Sequence, residues 1–194
     1  MVYDAERPEL FLKDSGGRRT VGPGQPVGIR SDSSWNVPEP EIGLVLGEDG
    51  EIDGVTIGND VSSRDIEGAN PLYLPQAKVY AGACALGPAV LSPLPDEPFE
   101  IRLRIVGPSG EELFSGETST ARMKRSFDEL VEFLLRDNPV PAGSVLLTGT
   151  GLVPPDDFTL EPGHLVEIEV PGIGILSNPV VLASSLVERK AAHV

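Results

Sequence analysis

The sequence predicts a β-rich α+β domain with one packed helix. Three observations carry that expectation. Gly (22) and Pro (19) occupy 41 of 194 positions, which favours many turns and short strands over a helical bundle. Several short segments alternate apolar and polar residues at period two, the pattern of half-buried strands. Only the stretch of about 126–137 carries an apolar stripe at helical spacing behind a capping signal. A length of 194 residues suits one domain, which at this size buries roughly 70% of its unfolded surface without disulfides or a structural metal. We read 1–194 as that single domain.

In chain order, Leu10-Phe11-Leu12 reads as a short apolar strand, followed by a polar turn and the Gly22-Pro23-Gly24 loop. Ile42 to Leu46 reads as a buried strand that turns back at Asp49-Gly50. Phe99, Ile101, Leu103 and Ile105 face one way, and Glu100, Arg102 and Arg104 the other. Ser126 and Glu129 form a capping box, in which each side chain satisfies the other's backbone donor. Phe127, Leu130, Val131, Leu134 and Leu135 then line one helical face, and Asn138-Pro139 stops it. Val166, Ile168 and Val170 alternate with Glu167 and Glu169, and a hairpin at Pro171 to Gly174 leads into Pro179-Val180-Val181.

Charge excludes whole classes of partner. Thirty acidic residues against fifteen basic give a net charge of −15. Such a surface opposes nucleic acid, whose binding rests on Lys and Arg against phosphate, and it is repelled by anionic membranes. One cysteine, Cys84, and two histidines leave no disulfide and no Cys/His zinc site. His164, in a Pro-Gly-His turn, and His193, in the tail, read as turn and tail residues. No run approaches the roughly 18 apolar residues of a membrane span, so the cytoplasm is the expected compartment.

Two Glu-x-Glu pairs invite comparison. Glu167 and Glu169 lie opposite an apolar strand face and read as solvated. Glu39 and Glu41 instead follow Trp35-Asn36-Val37-Pro38, flank Pro40, and run straight into the apolar strand at Ile42. Proline favours extended backbone on either side, so both carboxylates point the same way in a stiff segment. Like charges held so closely repel unless a cation lies between them. Asp60, in Gly58-Asn59-Asp60-Val61-Ser62-Ser63-Arg64-Asp65, offers a third oxygen ligand, and three oxygens with room for water suit Mg²⁺. Taken alone, such acidic loop residues also read simply as solvated. From 31 to 101 there are thirteen acidic residues and two basic ones, Arg64 and Lys78. Lys78, among apolar and aromatic neighbours in Pro75-Gln76-Ala77-Lys78-Val79-Tyr80, reads either as a desolvated lysine of lowered pKa or as an ordinary ion-pair residue.

Together, Pro38-Glu39-Pro40-Glu41, Gly58 through Glu67, Gln76-Ala77-Lys78, Leu147-Thr148-Gly149-Thr150-Gly151, Gly172-Ile173-Gly174 and Asn178-Pro179-Val180 resemble the fumarylacetoacetate hydrolase superfamily. The likeness runs from Arg7-Pro8-Glu9-Leu10-Phe11-Leu12-Lys13 to Val181. The spacing of Glu39, Glu41, Asp60 and Lys78 resembles its 2-keto-3-deoxyarabinonate dehydratase branch in particular. The resemblance implies a mixed β-roll or sandwich, with Mg²⁺ (Mn²⁺ or Ca²⁺ as substitutes) held by Glu39, Glu41 and Asp60. It implies substrate contacts from Lys78 and Thr150 with Arg64 nearby, and a homodimer or tetramer. Family members usually carry a further N-terminal segment, upstream of where this sequence begins.

The expected function is a Mg²⁺-dependent lyase that dehydrates a small anionic 2-keto-3-deoxy sugar acid through an enolate, with Lys78 exchanging protons. Alternatives are C–C hydrolysis of a 1,3-diketo acid, decarboxylation of a keto acid, and an inactive metal-binding fragment acting through assembly.

Overall fold

The computed structural model describes residues 5–191, the side chains of 188–191 excepted; His193 lies outside the described residues. The strands are β1 (Thr20–Val21), β2 (Val27–Ile29), β3 (Asn36–Val37), β4 (Pro40–Leu46), β5 (Ile52–Asp60) and β6 (Ser62–Ser63). Two short helices follow, α1 (Arg64–Ala69) and α2 (Leu74–Lys78). Then come β7 (Cys84–Leu91), β8 (Glu100–Val106), β9 (Glu112–Ser119), α3 (Phe127–Leu135), β10 (Val145–Leu147), β11 (Leu165–Val170), β12 (Gly174–Leu182) and α4 (Ala183–Ala191).

The strands build two five-stranded sheets, ordered β1-β7-β5-β4-β10 and β2-β12-β11-β8-β9, with β3 and β6 pairing separately. Both large sheets are mixed. β1 runs parallel to β7 and β2 parallel to β12, while the other pairs are antiparallel. Their inner faces share one core, with Ile42, Leu44, Val55 and Ile57 from the first sheet and Leu103, Ile105, Val166, Ile168 and Leu176 from the second. The predicted alternation holds: Ile101, Leu103 and Ile105 are buried, while Arg102 and Arg104 pair outside with Glu169 and Glu167. That pairing makes the Glu167/Glu169 face a solvated one, as read.

Helix α3 packs Leu130 and Val131 into this core. Glu129 N donates to Ser126 Oγ at 3.1 Å, one half of the predicted box. The Glu129 carboxylate turns to Arg125 instead, because a guanidinium is a stronger partner than an amide. Helix bonding ends at Arg136, and Asn138 Nδ2 donates to Leu134 O at 2.9 Å, capping the last turn.

One expectation fails. Leu10-Phe11-Leu12 is not a strand; Leu12 is 70% exposed. Three apolar residues with no ladder partner do not suffice. Helix α3 is the main packed helix, as expected, and α1, α2 and α4 accompany it. α1 and α2 are 6 and 5 residues long, too short for a periodic stripe to show. Asn70, extended ahead of Pro71, separates them because proline disfavours helical backbone in the preceding residue.

Candidate metal centre

The β4–β5 hairpin assembles the acidic residues. Residues two apart on an extended strand share a face, so Glu39 and Glu41 point together. The ladder pairs Pro40 with Asn59 and Glu41 with Gly58, which places Asp60 opposite Glu39. Asp60 N donates to Glu39 O at 2.9 Å, and Glu39 N donates to Asn59 Oδ1 at 3.2 Å. One ligand oxygen from each of Glu39, Glu41 and Asp60 lies within 4.8 Å of the others. All three residues are buried, at 6%, 3% and 5% exposure.

Burying three carboxylates together is costly unless positive charge compensates. Lys78, at the end of α2, is buried too. Its ammonium donates to Glu39 Oε2 at 2.8 Å and Ser62 Oγ at 2.5 Å, and stands 3.3 Å from Asp60 Oδ2. Glu67 Oε1 is 4.0 Å away. Burial alone would lower the Lys78 pKa, but Asp60, Glu39 and Glu67 outweigh it and raise it. Of the two sequence readings of Lys78, the ion-paired one holds in the metal-free protein, because three carboxylates meet the ammonium.

Arg64, the first residue of α1, donates from Nη2 to Glu39 Oε1 at 3.1 Å. Its Nε is buried without an acceptor, while the side chain as a whole is partly exposed at the edge of the cluster. The Thr150 hydroxyl donates to Leu152 O at 3.0 Å and accepts from Leu152 N at 3.2 Å. The N–H of the neighbouring Gly149 donates to Glu41 Oε2 at 2.6 Å. Gly149 has φ +86°, a conformation that costs other residues strain.

The pKa of Glu41 is raised well above the usual carboxylate range by burial, then by Asp60 and Glu39, against the opposing pull of Gly149 N–H and Lys78. A divalent cation relieves that repulsion. All-oxygen donors in a buried cluster fit a hard ion such as Mg²⁺, with Glu39, Glu41 and Asp60 as its holders.

Sequence reasoning missed Lys13, Ser62, Glu67 and Gly149. Lys13 stands against Asp60 Oδ1, and its signal was available, since it is one of four lysines in the chain. Ser62 and Glu67 carry no local pattern that separates them from surface polar residues.

A family model described as "Fumarylacetoacetate (FAA) hydrolase C-terminal" matches residues 3–181. A probable 2-keto-3-deoxyxylonate dehydratase from Haloferax volcanii is 52% identical over 181 residues, 92% of this chain and 62% of the relative. A 2-dehydro-3-deoxy-D-arabinonate dehydratase from Saccharolobus solfataricus is 47% identical over 184 residues, 92% of this chain and 60% of the relative. The solved structure of a 2-keto-3-deoxy-D-arabinonate dehydratase complexed with magnesium and 2,5-dioxopentanoate superposes with a TM-score of 0.88 at 46% identity, covering 92% of this chain and 64% of that one. The chain thus spans about three fifths of the length of these relatives.

Proposed function

The chain belongs to the fumarylacetoacetate hydrolase C-terminal family, and on that premise we propose that it is the catalytic domain of a Mg²⁺-dependent dehydratase of a 2-keto-3-deoxy sugar acid. The observation that carries the reading is the buried triad Glu39, Glu41 and Asp60 with the Lys78 ammonium touching two of its members. The relatives named above, dehydratases of 2-keto-3-deoxy acids at 52% and 47% identity, support the same chemistry.

Glu39, Glu41 and Asp60 would hold the ion. When bound, Mg²⁺ supplies Lewis acidity at the 2-keto oxygen and so acidifies the C3 hydrogens. Arg64, whose side chain is partly exposed beside Glu39, binds and orients the substrate carboxylate through its guanidinium in a charge-assisted hydrogen bond. With Mg²⁺ in place the added charge would disfavour the Lys78 ammonium, leaving Nζ able to take the C3 proton and return it to the departing C4 hydroxyl, while Ser62 Oγ, its 2.5 Å partner, keeps Nζ aimed. The balance is simple: C3 gives up a proton, C4 gives up hydroxide, and the two leave as one water. Thr150, next to the Gly149 N–H that binds Glu41, lines the substrate pocket in this reading. The protein acts in this reading as a cytoplasmic homo-oligomer, consistent with the lack of a helix long and apolar enough to cross a membrane among the described residues.

Hydrolysis of a 1,3-diketo acid on the same site requires a base to activate water. Among the described residues the one histidine, His164, is committed elsewhere, accepting from Glu161 N at 3.2 Å and packing on Phe158. An assay of 2-keto-3-deoxy-arabinonate, an acylpyruvate and oxaloacetate, each with Mg²⁺ and with chelator, tests the proposal. Water loss from the first substrate alone is expected; turnover of only the acylpyruvate or only oxaloacetate refutes it.

A further inference from the structure

We propose that Lys13 is a resident counter-cation of the carboxylate triad, one that neutralises Asp60 while no divalent ion is bound and opposes the ion's binding. The inference rests on the metal reading above. Lys13 lies in the loop that leads into β1, far in sequence from the triad, yet its side chain is only 11% exposed. Three oxygens surround its ammonium: Asp60 Oδ1, the main-chain oxygen of Lys78, and the main-chain oxygen of Val61 at 3.2 Å. Two of the ammonium's three donors go to the main-chain oxygens, and Asp60 Oδ1, buried and without a hydrogen-bond donor, meets it as an ion pair. That separates it from Lys78, whose partners are side-chain oxygens of Glu39, Asp60 and Ser62.

The loop is built to deliver this residue. The adjacent Asp14 carboxylate accepts from Gly16 N at 3.1 Å, Arg18 N at 3.3 Å, Arg19 N at 2.7 Å, and both N and Oγ1 of Thr20 at 2.9 Å. Five donors on one carboxylate fix the backbone from Asp14 to β1, and with it the origin of the Lys13 side chain. Two main-chain oxygens then fix the far end. Lys13 is anchored whether or not Asp60 faces it.

Charge accounting gives the consequence. Lys13, Lys78 and Arg64 are spent on Asp60, Glu39 and, at 4.0 Å, Glu67, and none of them pairs with Glu41. Both Asp60 oxygens face an ammonium, Oδ1 toward Lys13 and Oδ2 toward Lys78. A divalent ion that takes an Asp60 oxygen therefore competes with a lysine for it and adds two charges beside it. Asp60 itself does not depend on Lys13 for its place, since its backbone is held by β5 and by the bond to Glu39 O. Removing the Lys13 charge should accordingly tighten Mg²⁺ binding rather than weaken it. For charges a few ångströms apart at a protein-like dielectric, the gain is about tenfold or more.

The test is calorimetric titration of the chain with Mg²⁺, alongside thermal melting in chelator and in saturating Mg²⁺, for wild type, Lys13→Met and Lys13→Arg. Lys13→Met should bind Mg²⁺ at least about tenfold more tightly, melt below wild type in chelator, and recover most of that gap in Mg²⁺. Lys13→Arg, which keeps the charge, should stay near wild-type affinity. If Lys13→Met folds only when Mg²⁺ is present, the ion has replaced the missing cation, and the proposal stands. Equal or weaker Mg²⁺ binding by Lys13→Met, failure to fold even with Mg²⁺, or tightening by Lys13→Arg to the same degree would each overturn it. Wild-type protein that binds no Mg²⁺ would instead remove the metal reading itself, and this inference with it.

Discussion

Replacing Glu41 by Gln keeps the size and one acceptor oxygen of the side chain while deleting its charge. Two consequences follow, in opposite directions. Metal binding loses one of three anionic ligands. Outer-shell partners of metal sites already cost 10–100-fold when removed, so a direct ligand should cost at least about 100-fold, or ~2.7 kcal/mol at 1.4 kcal/mol per decade. The metal-free fold, by contrast, sheds a buried charge that burial, Asp60 and Glu39 all disfavour. What it loses is the ionic part of the 2.6 Å bond from Gly149 N, worth about 1 kcal/mol. That is a fall of about 2–4 °C in a domain of this size, offset by the relieved repulsion. Calorimetry with Mg²⁺ and melting in chelator read the two terms separately. Glu41→Gln should bind Mg²⁺ at least about 100-fold more weakly yet melt within a few degrees of wild type. Unchanged Mg²⁺ affinity would refute the ligand assignment, and a collapse in melting temperature without metal would show that Glu41 is structural. Glu167→Gln is the control: its exposed ion pair with Arg104 contributes about 0–1 kcal/mol, and Mg²⁺ binding should not change.

Lys78→Met should lower kcat by roughly 10²–10⁴-fold without weakening Mg²⁺ binding, since a cation beside the site does not hold another cation; near-full turnover would assign the proton transfer elsewhere. Gly149→Ala forces φ +86° on a residue with a Cβ, at about 1–2 kcal/mol; reduced Mg²⁺ affinity together with reduced stability is expected, and an unchanged melt would show that the loop relaxes freely. Asp14→Asn should cost about 2 kcal/mol, because hydrogen bonds to a charged acceptor are worth about 1.5–3 kcal/mol. Burial alone would raise the Asp14 pKa, but the N–H groups of Arg19, Gly16 and Thr20 and the Thr20 hydroxyl outweigh it and hold it well below the usual range. Its contribution is thus complete above the ordinary aspartate range and is lost as pH falls below it toward the depressed value. Acid unfolding curves for Asp14→Asn should approach those of wild type at low pH, and a constant gap at every pH would contradict this.

The strands that carry the fold were legible because their alternation is regular. Phe99 to Ile105 and Val166 to Val170 place their apolar residues inside as read. The triad was legible because Glu39 and Glu41 are adjacent in sequence and Pro40 forces extended backbone between them. Asp60 was named from its own segment and from the family resemblance, and the register of β4 on β5 adds why it faces Glu39. Lys13 stood out as one of four lysines, but its partners were hidden, because Val61 and Asp60 lie almost fifty residues away. The sign of the Lys78 shift also needed three dimensions, because burial and carboxylate proximity act against each other and only distances decide between them. Short helices α1 and α2 carry too few turns for periodicity to reveal them.

The most direct test of the central claim joins occupancy to chemistry in one sample. The chain is stripped with chelator and titrated with Mg²⁺ while bound ion and water loss from 2-keto-3-deoxy-arabinonate are followed together. Turnover should be absent without the ion and should rise in proportion to occupancy of a single site, with Glu41→Gln shifting both curves to higher Mg²⁺ by the same factor. Turnover that persists in chelator, or a fully occupied site that releases no water, would contradict the account.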